Sequence, residues 1–351
     1  MNPITRRQIA RFRGLRRGYW SFLLLVAIII LSAFAELWIN KRALIVYYDG
    51  DLFFPTYGSE YTGETFGQDY QYEADYRELK KKFAEPENPN WVLMPLVPFG
   101  PNESVYREGS FPPYPPSFES EHYLGTDPLG RDVLARLVYG FRIALGFSLA
   151  LMVCTYLLAI AIGCAMGYFG AWLDLFGQRL MEIWSNIPFL YVVIILASTI
   201  PPNVGPTTRI GSLLFVMVIF NWVGMASYMR TASFRERARD YIAAARVIGT
   251  GPGRIIFRHL LPNTLSIVIT FIPFTVVSGI TSLTALDFLG FGIPPPTASW
   301  GELLQQGTQR LDAPWIVAST FFGMSAVLIL VTFVGEAVRE AFDPRKFTYY
   351  R

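Results

Sequence analysis

The sequence has very few residues of the types that form disulfides and metal sites. Its 351 residues include two cysteines and two histidines. Cys154 and Cys164 lie ten residues apart in one apolar run, so they point in different directions and should not pair. His122 and His259 fall on opposite sides of the membrane in the topology derived below. We therefore expect neither a disulfide nor a metal site.

Lysine is also scarce, and no lysine follows a glycine. A phosphate-binding loop of the form GxxxxGK[ST] needs that dipeptide, so the chain should not bind ATP in this way and should hold no cofactor of its own. The run Lys80 to Lys82 is typical of a solvated patch on a short helix. No nucleic-acid partner is expected.

Charged residues are missing from six long apolar runs, although they make up 16% of the chain. Each run is close to the roughly 20 residues with which a helix spans a bilayer. A charge at the centre of such a helix costs about 2.5 to 3.5 kcal/mol on insertion scales. The runs predict an all-α integral membrane protein with six transmembrane helices. They are Tyr19 to Trp38, Ile143 to Tyr168, Ile183 to Ile200, Ile210 to Ala226, Leu265 to Ala285 and Ile316 to Val334.

Carboxylates are also missing from the middle of these runs. Carriers coupled to protons or sodium usually bury such groups within their spans. The acidic residues near membrane level stand only at the predicted ends of the helices. This placement favours a role as anchors at the membrane interface. They are Glu36, Glu182, Asp287 and Glu336. A source of energy outside this chain is therefore expected.

Arginine determines the predicted orientation. Six arginines and no acidic residue precede the first run, which favours a cytoplasmic N-terminus and an uncleaved first span over a signal peptide. The C-terminal tail, with Arg339, Arg345, Lys346 and Arg351, should also be cytoplasmic. The predicted parts are an Arg-rich N-terminus (1–18), a first span (19–39), an external insertion with the lead-in to the second span (40–142), and a core with the other five spans (143–351), whose loop 230–263 is cytoplasmic.

The external insertion is dense in Tyr, Pro, Gly and acidic residues between Tyr47 and Pro116. Short hydrophobic pieces such as Trp91 to Val97 predict a small irregular cap with a few short strands. Two roles stay open. It could be a packed lid or spacer, or it could contact a substrate or a delivery protein.

The cytoplasmic loop holds a basic stretch, Asp240 to Pro262, that predicts two short helices. Gly249 suits a left-handed helix end, and Pro262 should stop a second helix from Arg254 to Leu261. Such a projection into the cytosol predicts a cytosolic partner. One face of the first helix should be apolar, through Tyr241, Ala244, Ala245 and Ile248 at helical spacing, with Arg235, Arg239 and Arg246 opposite.

A polar turn precedes the second span. It comprises Gly125, Thr126, Asp127, Gly130, Arg131 and Asp132. We favour a helix cap made by Asp127 or Asp132, with an outer gate or a binding-protein contact as the alternative. After the fifth span, Pro294 to Pro296 exclude a helix, and Trp300 suits a loop at the membrane interface.

Several of these stretches resemble one family. The loop is similar to the EAA loop of bacterial ABC importer permeases, with Gly249 and Leu261-Pro262 in place. LGTDPLGRDVLARLVYGFRIAL (Leu124 to Leu145) and ALDFLGFGIPPPTASWGELLQQG (Ala285 to Gly307) resemble signatures of the oligopeptide and dipeptide branch. The insertion and the ending GEAVREAFDPR (Gly335 to Arg345) are most similar to Yej-type permeases, associated with uptake of microcin C and oligopeptides.

The resemblance implies a type I importer permease fold in the bacterial inner membrane, with both termini cytoplasmic and the insertion periplasmic. It also implies a second, related permease subunit, cytosolic ABC ATPase subunits that bind ATP and Mg, and a periplasmic solute-binding protein. Ala243 stands where many relatives carry the EAA glutamate. The resemblance assigns ATPase coupling to nine residues of the loop: Arg239, Asp240, Tyr241, Ala244, Ala245, Arg246, Gly249, Arg258 and Pro262.

Two other classes compete with this interpretation. A secondary carrier or channel would need no ATPase, and the uncharged spans and the EAA-like loop count against it. A membrane-anchored assembly or sensory protein could use the insertion as its working part, but it would leave the two signatures unexplained. An enzyme is the least favoured, because the runs contain no paired carboxylates and no Ser/His arrangement.

Overall fold

A computed structural model describes residues 3–85, 88–201 and 204–342 of the protein. The described chain is mostly helical, with one small sheet in the insertion. The tail residues Arg345, Lys346 and Arg351 lie outside it. Its helices are α1 (Pro3–Gly14), α2 (Arg16–Ala33), α3 (Tyr76–Lys82), α4 (Val133–Phe169), α5 (Ala171–Ser185), α6 (Phe189–Ser198), α7 (Pro206–Arg237), α8 (Asp240–Val247), α9 (Pro252–Arg254), α10 (Leu261–Phe288), α11 (Trp300–Gln309) and α12 (Pro314–Phe342).

Five helical segments are long and apolar enough to cross a membrane. They are α2, α4, α7, α12 and the continuous stretch Pro252–Phe288. The predicted third span, Ile183 to Ile200, is not one helix: α5 and α6 meet at a bend of 76°. Pro188 follows Ile187, and a proline disfavours the helical conformation of the residue before it. This explains the break. The count reaches six only if this bent pair crosses as a single span.

Two helices begin or end several residues away from the bounds of the predicted spans. The first helix runs from Arg16 to Ala33 and gives way to a 3-10 turn, Ala35–Leu37, where the sequence predicted a span to residue 39. The second begins at Val133, ten residues before the predicted run starts. Asp132 explains this early start, because its side chain accepts a hydrogen bond from Ala135 N and so caps α4.

The insertion contains the few short strands that the sequence predicted, so the described chain is mostly helical and not all-α. Three antiparallel strands, β1 (Ile45–Tyr48), β2 (Asp51–Phe53) and β3 (Trp91–Leu93), pair in the order β2-β1-β3. Asp49 and Gly50 between β1 and β2 have φ of 51° and 93°, as a two-residue type I′ hairpin requires. β-branched and aromatic residues favour the strands.

A hydrophobic core holds the insertion together in the absence of disulfides. Val46, Phe66, Tyr76 and Leu79 are buried between the sheet and α3. Arg42 adds ion pairs to Glu73 and Glu60, each at 2.5 Å. The insertion therefore has a packed interior of its own.

Helices α4 and α7 form the most extensive helix pair in the described chain. Two glycines on α4 allow this close approach. A Cβ at Gly163 or Gly167 would overlap the backbone carbonyl oxygens of Ala226 and Arg230 on α7. Small residues at helix interfaces permit such backbone contact within membranes.

We predict that Gly163→Val destabilises the protein by about 1 to 3 kcal/mol, because its side chain would force α4 and α7 apart. Gly146→Val on the same helix is the matched control, since nothing lies within 4 Å of a Cβ at Gly146. Thermal unfolding in detergent, followed by size-exclusion chromatography, measures both. Equal shifts of the two variants would show that close packing at Gly163 is unimportant.

Candidate functional site

Helix α8 lies in the loop that joins α7 to α10, where the sequence predicted it. Asp240 lies in its first turn, where a negative charge interacts favourably with the positive end of the helix dipole. Gly249 ends it with φ of 76°. Thr250 N donates to Ala245 O and Gly249 N donates to Arg246 O, both at 3.0 Å, which is a Schellman motif. The predicted left-handed end at Gly249 is confirmed.

The two faces of α8 differ from the predicted pattern. Ile242 and Ala245 are buried in a cluster with residues of α4 and α7. Tyr241 and Ala244 are exposed, and Val247 and Ile248 are 87% and 81% exposed. Ala245 therefore does not belong to an outward apolar face with Tyr241, Ala244 and Ile248. The spacing identified an amphipathic helix but did not show that Ile242, at i−3 from Ala245, completes the inward face.

Polar contacts attach α8 to neighbouring spans. The Tyr241 hydroxyl donates to Glu236 Oε2 at the end of α7, at 2.6 Å, and accepts from Asn263 Nδ2 at the start of α10, at 3.0 Å. Burial and the hydrogen bond to Glu236 raise the pKa of Tyr241, so the hydroxyl keeps its proton at neutral pH. Arg246 places its guanidinium 5.1 Å from the centre of the Tyr168 ring on α4. Arg239 pairs with Glu236 at 3.2 Å.

The second helix of the loop does not end where the sequence predicted. α9 passes into a π-helical segment, Ile255–Leu260, and this continues directly into α10. Pro262 does not stop the helix, because it directly follows the π-helical segment, whose wider hydrogen-bond pattern accommodates a proline. Arg258 and Pro262 are both exposed. The loop is thus one surface helix, α8, followed by a helical extension of α10.

The polar turn before α4 is buried. Thr126, Asp127 and Asp132 have no exposed surface, and Arg131 has 3%. Gly125 and Gly130 have φ of 73° and 77°. A Cβ at either position would overlap neighbouring groups, including the carbonyl oxygens of Tyr114 and Val105. Both positions therefore require glycine.

An ionic cluster forms the centre of this turn. Arg131 donates through Nε to Asp127 Oδ2 at 2.7 Å and through its terminal nitrogen to Glu302 Oε1, also at 2.7 Å. The second oxygen of Glu302 accepts from Arg136 at 2.5 Å. Burial by itself would lower the pKa of Arg131, but Asp127 and Glu302 raise it, so the guanidinium stays charged. We call Asp127, Arg131, Arg136 and Glu302 the outer ionic cluster.

Arg136 connects this cluster to the insertion and to the loop before α11. It has no exposed surface, and it donates to the carbonyl oxygens of Pro101 at 2.8 Å, Pro296 at 3.4 Å and Thr297 at 3.4 Å. The sequence analysis missed Arg136 and Glu302 as partners, although both stand in the two quoted signatures. The sequence did contain one signal for Arg136, because it is a charged residue at the otherwise apolar start of α4.

Asp132 has a structural role distinct from the cluster. One carboxylate oxygen caps α4 through Ala135 N, and the other lies 2.8 Å from Nδ1 of buried His122. The His122 ring stacks on Phe99 at 3.8 Å. Trp300, predicted in an interfacial loop, instead begins α11, is buried, and donates to Leu137 O at 2.9 Å. Within residues 3–85, 88–201 and 204–342, no cluster of three or more His, Cys, Asp and Glu could hold a metal.

We predict that Glu302→Gln destabilises the protein by about 3 kcal/mol or more, because two buried guanidinium groups lose their shared counter-charge. Asp312→Asn is the control, since it removes a carboxylate from an exposed pair with Arg310. The melting temperature of each purified variant in detergent is the measurement. If both variants melt with the wild type, the outer ionic cluster does not hold the fold together.

The chain matches the family model described as the binding-protein-dependent transport system inner membrane component over residues 159–348. A solved structure of inward-facing conformations of the MetNI methionine ABC transporter matches with a TM-score of 0.44 and 17% identity. That match covers 60% of this chain and 97% of the other.

Two curated relatives match over nearly the whole chain, and a third over about three quarters of it. The inner membrane ABC transporter permease protein YejE of Escherichia coli is 41% identical, covering 99% of this chain and 98% of that protein. The peptidoglycan transport system permease protein YejE of Agrobacterium fabrum is 39% identical, covering 98% and 94%. The dipeptide transport system permease protein DppC of Bacillus subtilis is 31% identical, covering 73% and 78%. The chain therefore belongs to the binding-protein-dependent transport family and is a membrane permease subunit of an ABC importer.

Proposed function

We propose that this subunit forms half of a transport pathway for peptides or peptide-like compounds, and that α8 couples it to a cytosolic ATPase. The observation that carries the proposal is the outward face of α8. Tyr241, Ala244, Val247 and Ile248 are exposed there, while Ile242 and Ala245 hold the helix to the spans. An exposed apolar face on a fixed helix suits a partner groove. Membership of the importer family makes that partner an ATPase subunit.

The two candidate sites belong on opposite sides of the membrane. α4 has 37 residues, which corresponds to a length of roughly 55 Å and exceeds a bilayer core of about 30 Å. The outer ionic cluster stands at its first turn, and Arg246 reaches Tyr168 at its last. We place the Arg-rich N-terminus in the cytoplasm and let α5 and α6 cross the membrane together as one bent span. The chain then crosses the membrane six times. Both termini and α8 are then cytoplasmic, and the insertion is periplasmic.

Coupling would use the rigid attachments of α8. Tyr241 bridges Glu236 on α7 and Asn263 on α10, so a displacement of α8 moves both helices. The extension Pro252–Phe288 has a π-helical segment and an internal proline, Pro273, where a helix can bend. ATP and Mg would bind to the partner ATPase, whose closure would drive this lever. A second permease subunit would form the other half of the pathway.

The substrate class rests on what the relatives' names share. Dipeptides, and the peptide part of peptidoglycan, both carry amide bonds, so an amide-bearing compound is proposed. The resemblance to Yej-type permeases extends this to oligopeptides and microcin C. A periplasmic solute-binding protein would deliver the compound at the outer face, where the insertion and α11 meet through Arg136.

We predict that Ala244→Trp abolishes co-purification of the ATPase subunits and the associated ATP hydrolysis, because the indole would block the outward face of α8. Its melting temperature should stay unchanged, since Ala244 is exposed. Ala245→Trp, at a buried position, should instead lower the melting temperature.

Leu311→Trp serves as the control, because Leu311 is exposed at the opposite end of the molecule. It should leave both ATPase binding and hydrolysis intact. Purification of the wild-type protein from its native membrane without any ATPase would refute the proposed coupling.

A further inference from the structure

Uncharged polar side chains collect near the middle of α4, α7 and α10, away from both sites described above. They line a cavity of about 250 Å³ between these helices. Among the residues that the structure describes, no Asp, Glu, Lys or Arg lines it. The polar groups that matter below are Thr155, Asn221, Tyr228, Thr275, Ser278 and Ser282.

One buried hydroxyl in this cavity has no hydrogen-bond partner among the described residues. Thr155 is 2% exposed, and its Oγ1 makes no hydrogen bond, whereas Thr275 donates to Phe271 O at 3.1 Å in the usual way for a helix. Tyr156 and Thr275 join their hydroxyl oxygens at 2.6 Å. A buried hydroxyl without a partner costs free energy, so its retention suggests a ligand or water.

The cavity opens onto a surface that is unsuited to lipid. Asn221, Gly224 and Tyr228 form one exposed face of α7, and Ser278 is exposed on α10. Exposed side chains in the middle of α12 are apolar instead, such as Phe322, which is 69% exposed. Polar groups at membrane depth face a protein interior or water. This surface therefore faces the pathway side of the subunit.

An aromatic pair closes the cavity towards the cytosolic end. Tyr228 and Phe271 stack with ring centres 4.5 Å apart. Phe271 also lines a second groove of about 540 Å³, which runs to the cytosolic ends of α7 and α10 and includes Arg235, Arg239 and Arg339. A neutral cavity, an aromatic closure and a charged vestibule thus follow one another along α7 and α10.

We propose that this cavity is the subunit's contact site for the amide groups of the transported compound, with Tyr228 and Phe271 as its cytosolic closure. The inference rests on the proposed transport function. Hydroxyl and carboxamide groups both donate and accept, which matches the paired N–H and C=O of an amide. An isolated charge would find no counter-charge there and would be disfavoured. Peptide backbones and the N-acetyl groups of peptidoglycan fragments share this chemistry.

Cysteine labelling tests the site in the intact complex. In a background with Cys154→Ala and Cys164→Ala, Ser278→Cys and Phe322→Cys are labelled with a water-soluble methanethiosulfonate in lipid vesicles. We expect position 278 to react at least tenfold faster, because it faces water and position 322 faces lipid. Equal rates would overturn the assignment of the pathway face.

Protection by candidate compounds tests the ligand class. N-acetyl-tri-alanine amide and N-acetylglucosamine, which are both uncharged, are added separately, and we expect at least one to slow labelling at position 278 several-fold. Protection by one alone identifies the source of the amide, and protection by neither overturns the contact site. Thr155→Val should weaken protection without changing the melting temperature; full protection in that variant removes Thr155 from the site.

ATP hydrolysis by the same preparation separates this inference from the proposed function. A complex that hydrolyses ATP but shows no difference in labelling refutes only the cavity assignment. A preparation without any ATPase refutes the proposed function itself.

Discussion

The structure depends on the compensation of two buried arginines by two carboxylates. Glu302 binds Arg131 and Arg136 through separate oxygens, and Asp127 accepts a second hydrogen bond from Arg131 at 2.7 Å. Arg136 also donates to the carbonyl of Pro101, which belongs to the insertion. The insertion is therefore attached to the outer ends of α4 and α11 at a charged, water-excluded point. A force on it would reach these helices directly.

The distribution of polar groups along the membrane axis follows the same logic. Charges are concentrated at the two ends, in the outer ionic cluster and around α8, whereas the cavity between α4, α7 and α10 has only neutral polar groups. If this cavity is the contact site proposed above, its lining presents no deep electrostatic trap to a neutral amide-bearing compound.

Sequence patterns predicted the features that depend on local chemistry. Apolar runs identified the membrane helices, and Gly249 marked the end of α8, because lipid and left-handed backbone each select particular residues. Features set by distant contacts were missed. Glu302 finds Arg136 across more than 160 positions of sequence, and Ile242 turns inward only because α4 and α7 lie beside it. Pro188 was a local signal for the bend between α5 and α6, because proline disfavours a continuous helix.

The central claim is that the exposed face of α8 touches an ATPase. Photo-crosslinking from p-benzoylphenylalanine at Val247 tests it most directly, since this side chain is 87% exposed and makes no part of the buried cluster. The account predicts a crosslink to an ATP-binding subunit in native membranes, and none from the same probe at Phe322. A probe at Val247 that crosslinks only to lipid or to the permease itself, in a preparation with active ATPase, would contradict the account.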